Sequence, residues 1–259
     1  MCVGVRRPAN PFQLQGQAVL FVSSYRYLGV VFHSSGRWRE HAEHLCCRGQ
    51  RRFYQFLAWY ENRQLHTGFR ESLLTSYVLP SVLFGSEFLD SASTSLVDQR
   101  VRQCGRRLLQ WPAGAPGAAV LGELGWWLVS FQMRERAFGL FARLSRSSAT
   151  RGRQQLRARV FQHARLTARS WACCAEVTIA SCGIPLPSAW GVGQGTPAQL
   201  VHTWRRQAAN PLLHTIASAA YQAELANSES LLGYASYRPE LRMNRVVHSA
   251  AVRVEDARE

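Results

Sequence analysis

The chain has 259 residues, 47% of them apolar and 18% charged, with a formal net charge of +15 and an isoelectric point of about 10.5. That length can bury a substantial core, and the composition is that of a globular and not a disordered chain. The charge comes from 31 basic residues, every one an arginine, against 16 acids. GC-rich coding accounts for the missing lysines but not for the shortage of acids, so an excess of planar guanidinium forks points to a polyanionic partner such as nucleic acid.

Patterning begins with "FQLQGQAVLFVSSYRYLGVVF" at residues 12–32. Phe12 and Leu14 alternate with glutamines, and Gln15-Gly16 has the composition of a hairpin turn. Val19 to Val22 reads as a second short strand, Ser23-Ser24 as a break, and Tyr25 to Phe32 as a third strand. A small antiparallel meander is therefore predicted. After "HSSG" the period changes to steps of three and four, with Ala42, Leu45, Cys46, Gly49, Phe53, Phe56, Leu57 and Tyr60 on one side. This predicts an amphipathic helix over 38–60.

A second helix is predicted over 67–84, with Phe69, Leu73, Tyr77 and Leu83 inward and Pro80 kinking it or ending a turn. A third is predicted over 95–110, with Leu96, Val101, Cys104 and Leu108 inward and Trp111-Pro112 as its stop. "AGAPGAAVLGELG" reads as a loop and a short helix. Another helix is predicted over 128–144, and "SRSSATRGR" breaks the pattern. A single helix over 153–179 would place Leu156, Val160, Ala164 and Trp171 on one side, with Arg159, Arg165 and Arg169 opposite. "GIPLPSAWGVGQGTP" reads as a linker, a last helix is predicted over 198–224, and the polar tail from Asn227 carries little pattern. The expected fold is mainly α (α+β). A β-meander occupies residues 1–36, a helical domain 37–145, a basic helix 146–183, a linker 184–197, and a C-terminal helical region with a disordered tail 198–259.

The charge is uneven. Residues 1–160 hold 22 arginines against nine acids, and residues 161–259 hold nine against seven. Two groups of candidate phosphate contacts stand out. Arg37, Arg39, Arg48, Arg51 and Arg52 lie on or just before the first helix, where Glu40 and Glu43 weaken the field. The run from Arg134 to Arg169 has ten arginines and one acid, Glu135, and supplies Arg146, Arg151, Arg153, Arg159, Arg165 and Arg169. No aromatic residues are interleaved at regular spacing in that run, so base-specific reading is not expected there.

Seven cysteines, Cys46-Cys47 and Cys173-Cys174 among them as vicinal pairs, form no CxxC, so a disulfide framework or zinc ribbon is not expected. His41 and His44 lie one helical turn apart, but Cys46 faces inward and Cys47 does not, which denies a four-ligand metal site. No GxSxG nucleophile motif occurs. The acid-free, basic N-terminus has some transit-peptide character, against which its strand pattern argues. No secretory h-region is visible, and the longest apolar run, at 73–85, is too short to span a bilayer. An intracellular protein, cytoplasmic or nuclear and not membrane-bound, is expected.

Five strings occur in order: "YRYLGVVF", "GRWREHAEHL", "SYVLPSVLFGSE", "RRLLQWP" and "AAVLGELGWW". Together they resemble the region just downstream of the polymerase active site in reverse transcriptases of non-LTR (LINE-like) retrotransposons. The resemblance covers about residues 1–145. It implies a primer-grip strand at Tyr25, Tyr27, Leu28 and Gly29, a helical thumb after it, and a primer–template duplex as partner. It also marks a departure. The family's Mg²⁺-binding aspartates lie upstream, on a palm strand and in a Tyr/Phe-x-Asp-Asp turn, whereas Asp90, Asp98 and Asp256 are neither paired nor set on a strand turn. The resemblance thus implies the end of a palm plus a thumb, lacking the remaining palm and the fingers. Such a segment needs no cofactor of its own, binds RNA and DNA through phosphates, and does not polymerise by itself. The alternative is an inert or scaffold-like helical remnant of a retroelement.

Overall fold

In the computed structural model, the described residues are 13–19, 21–61, 74–146, 153–168, 170–188, 196–228 and 231–237. They form a mainly helical fold with a small antiparallel β component near the N-terminus, as expected. They divide after Leu108 into two compact units, a position inside the segment expected to be one helical domain.

In the first unit, β1 (Gln13–Leu14) pairs with β2 (Gln17–Ala18) across Gln15-Gly16, whose φ angles of 52° and 78° suit a type I′ turn. The predicted third strand is instead a hairpin. β3 (Ser24–Tyr27) pairs with β4 (Val30–His33), placing Tyr25 opposite Phe32 and Tyr27 opposite Val30. Leu28-Gly29 turns the chain with φ of 47° and 85°. Glycine accepts that backbone freely, which lets an apolar run that reads as continuous strand reverse on itself. Val19–Val22 contributes no described strand, and Ser24, expected as a break, begins β3. The result is two separate two-stranded sheets and not one meander.

Helix α1 (Arg39–Glu61) agrees closely with its predicted span and buries Ala42, Leu45, Cys46, Phe53 and Phe56. A π-helical turn (Leu74–Val78), α2 (Leu79–Leu83) and a 3₁₀ turn (Ser86–Phe88) follow. The predicted start of this second helix at 67–73, with Phe69 and Leu73, lies outside the described residues. Gly49 lets α1 and α2 approach closely, since a Cβ there would sit 2.5 Å from Val82 Cγ2. α3 (Ser91–Leu108) packs along α1 and begins earlier than predicted, because Asp90 Oδ1 accepts the Ser93 N–H at 2.8 Å. An aspartate at the N-cap satisfies an otherwise orphaned donor.

The second unit comprises α4 (Gly117–Leu124), α5 (Val129–Ser145), α6 (Arg153–Leu166), α7 (Trp171–Ser181), α8 (Pro197–Trp204), a π-helical turn (Arg205–Ala209), α9 (Asn210–Ala226) and α10 (Leu232–Tyr237). The helix predicted over 153–179 is two. Ser170 caps α7 by accepting the Cys173 N–H at 3.2 Å, and its own hydroxyl donates to Ala164 O. Of the expected inward side, Ala164 and Trp171 pack against the core. Phe161 is buried, while Leu156 and Val160, expected inside, are exposed.

Segment 184–188, expected as linker, belongs to the core here. Ile184 is buried beside Val201 and Trp204, and Trp204 Nε1–H donates to Pro185 O at 2.8 Å. α10 falls in the tail expected to be unpatterned, and Tyr234 anchors it by donating to Ala119 O at 3.2 Å. Each π-helical turn ends two residues before a proline, Pro80 or Pro211. A proline inside a helix lacks its N–H and crowds the carbonyl four residues back, and one widened turn relieves that crowding. None of the described helices is long and apolar enough to cross a membrane.

Candidate nucleic-acid interface

The β3–β4 hairpin is fastened to α1 by a buried histidine. His41 Nδ1 accepts the Val31 N–H at 3.3 Å, and its Nε2–H donates to Gly85 O at 3.1 Å. That pattern requires one acceptor and one donor nitrogen, hence the neutral ring. Burial holds the His41 pKa below its ordinary value, opposed by the bond to Gly85 and aided by neighbouring His44. Gly85 turns with φ +70° and leaves room for this contact; a Cβ there would lie 2.9 Å from Val30 Cγ2 and 3.0 Å from His41 Nε2. Trp38 closes the junction, stacked on Phe88 with centroids 5.6 Å apart and tilted against Phe32 at 5.8 Å.

This docking leaves the primer-grip-like residues outward. Tyr25, Tyr27 and Leu28 are 54%, 57% and 77% exposed, while β4 is half-buried beside α1. Gly29 differs from the other three. The space a Cβ would fill is taken by Phe84, whose Cε1 lies 2.9 Å from that position. Its close approach is to a protein ring, and its direct contribution is packing.

Of the first arginine group, Arg48, Arg51 and Arg52 share the outward face of α1 at i, i+3 and i+4. Arg51 is exposed. Arg48 lies 5.4 Å over the Phe84 ring, and Arg52 lies 4.6 Å over the Tyr77 ring and also donates to the Tyr77 hydroxyl. Tyr77 in turn donates to Gln55 Oε1 at 3.0 Å. Arg39 sits apart, paired with Glu43 at 3.0 Å, and Glu40 lies 2.9 Å from His33 Nε2. The two acids that weaken the field are therefore each paired at the start of the helix. Arg37 is exposed in the turn before α1. Burial lowers the His44 pKa, and the charges of Arg26 and Arg48 lower it further.

The second arginine group behaves differently. Arg146 donates to Pro187 O from Nε at 3.0 Å and from Nη2 at 2.6 Å. Arg165 forms a two-point pair with Glu176, one arm at 2.7 Å, with its guanidinium 5.9 Å over Phe141. The Glu176 hydrogen bond raises the Arg165 pKa, and the same bond lowers that of Glu176. These two guanidinium groups hold the second unit together from within. Glu135, the one acid of that run, is held by Arg205 at 2.7 Å and Asn210 at 3.2 Å. Arg159 is exposed on α6. Arg153 lies in the first turn of α6 with its side chain outside the described set, and Arg151 and Arg169 lie outside the described residues.

The sequence did not reveal the aromatic partners Tyr77 and Phe84, which come from elements outside α1 and share no local spacing with Arg48 and Arg52. No group of three or more His, Cys, Asp or Glu able to hold a metal occurs among the described residues. Asp90 caps α3, Asp98 lies within that helix, and Asp256 is outside the described residues. His41 has both ring nitrogens engaged. The Cys46 thiol is buried and pushed up to about 11, while Cys47 faces outward. Compared with known proteins, the chain matches no family model, no curated protein and no solved structure.

Proposed function

We propose that this chain is a reverse-transcriptase-like segment that binds RNA/DNA duplex through arginine–phosphate contacts, without reading sequence. The observation that supports this most is one assembly: an exposed hairpin tip at Tyr25–Leu28, docked on a helix whose outward face presents Arg48, Arg51 and Arg52. Guanidinium groups on such a face neutralise phosphates and release counterions, which gives affinity and little sequence discrimination. The reading assigns these residues no polymerisation step. Two-metal phosphoryl transfer needs carboxylates a few ångströms apart, and Asp90 is engaged in capping a helix. Metal-binding carboxylates would have to come from a palm and fingers portion other than these residues. The reading places the chain inside the cell, in cytoplasm or nucleus, where its cysteines stay reduced.

A labelled RNA/DNA hybrid titrated with the full chain tests this. Three phosphate contacts give a salt slope of about −2.7, so affinity should fall about fortyfold between about 50 and about 200 mM salt. Absence of binding at the lower salt would overturn the reading and leave a helical scaffold.

A further inference from the structure

Along the outward side of α1, aromatic rings and guanidinium groups lie in a line that phosphate binding alone does not use. Trp59 is 53% exposed, with its ring 5.5 Å from that of Tyr77. Arg52 lies over Tyr77, and one turn back Arg48 lies over Phe84, which is 42% exposed. Phe84 in turn abuts Gly29 at the hairpin tip. From Arg48 to Trp59 the helix rises about 16 Å, the length of about five stacked nucleotides of one strand.

The chemistry of this line narrows its occupant. Residues 48–59 contain three arginines and no acid, so the ligand carries negative charge. Large rings left in water beside those charges add a demand for flat apolar faces. The Arg48 and Arg52 guanidinium groups are already held against the Phe84 and Tyr77 rings, so less side-chain freedom is lost when a ligand arrives. Unpaired nucleotides supply both features, phosphates and open base faces. Duplex nucleotides supply only the first, because their bases are stacked on one another inside the helix.

Building on the nucleic-acid reading above, we propose that the Trp59–Tyr77–Arg52–Arg48–Phe84 line is a binding site for an unpaired strand of RNA or DNA. Bases stack on Trp59 and Phe84, while Arg51 and the edges of Arg48 and Arg52 meet the phosphates.

The test compares a blunt RNA/DNA hybrid with the same hybrid bearing a single-stranded overhang of about five nucleotides. The full chain is used as wild type, Trp59→Ala and Trp59→Phe. The overhang should tighten binding of the wild type about tenfold. Trp59→Ala should remove most of that gain, Trp59→Phe should keep most of it, and affinity for the blunt hybrid should stay unchanged in both. Blunt binding with no gain from the overhang, or a gain that Trp59→Ala leaves intact, overturns the stacking site while the duplex reading stands. Failure of both substrates to bind at low salt overturns the two readings together. A second readout needs no variant: 2-aminopurine in the overhang should be quenched on binding wild-type protein, and unchanged emission would overturn the site.

Discussion

Gly85→Ala tests the fastening of the hairpin. Alanine at φ +70° enters the left-handed region, at about 1 kcal/mol. Its Cβ would sit 2.9 Å from Val30 Cγ2 and 3.0 Å from His41 Nε2, so half-buried Val30 or buried His41 must move, at about 1–3 kcal/mol. If His41 yields, its 3.1 Å bond to Gly85 O weakens and leaves a buried N–H short of a partner, about 1 kcal/mol more. Reduced freedom of the unfolded chain offsets about 0.4–1 kcal/mol. The net loss is about 3 kcal/mol. Urea unfolding reads the total, and hydrogen exchange at the Val31 amide, which His41 Nδ1 accepts, reads the local part. That amide should exchange about a hundredfold faster in the variant. A change in stability within about 0.5 kcal/mol together with unaltered Val31 protection would refute the staple.

The same histidine makes stability depend on pH. His41 is neutral when folded, with a pKa below the ordinary 6.5. Above that value neither state gains a proton and the full contribution is present. As pH falls below it the unfolded chain binds a proton that the folded chain refuses, so stability declines. Urea midpoints should fall over that range, and His41→Gln should flatten the segment; an equally steep curve in the variant would contradict the assignment. Cysteine alkylation should be ordered by burial. Exposed Cys47 and Cys174 should label first, and Cys46 and Cys104, both pushed up to about 11, should label last. Equal rates for Cys46 and Cys47 in peptide-mapped digests of the folded chain would contradict the packing of α1 on α3.

Much of the first unit was legible in the sequence because α1 repeats its apolar residues at helical spacing over its whole length. The hairpin was not, because Leu28-Gly29 interrupts an apolar run that has the composition of one strand, and only the backbone angles reveal the reversal. The break between α6 and α7 depends on Ser170, an N-cap type that the apolar periodicity running through 153–179 masked. For the site, the spacing of Arg48, Arg51 and Arg52 announced a shared face. Their aromatic partners could not be read, since Tyr77 reaches Arg52 across 25 residues. The same limit hid the inward turn of Arg146, whose acceptor at Pro187 is 41 residues away. A run of arginines in sequence is a surface only where nothing inside the fold accepts them.

We propose that the stripe on α1 meets nucleic-acid phosphates. The direct measurement is the salt dependence of RNA/DNA hybrid binding by the wild-type chain and by the triple variant Arg48→Gln, Arg51→Gln, Arg52→Gln. Loss of three phosphate contacts should make the slope of log affinity against log salt shallower by about 2.7. A variant that binds with the wild-type slope and affinity would contradict the claim and place the charge that matters elsewhere in the chain.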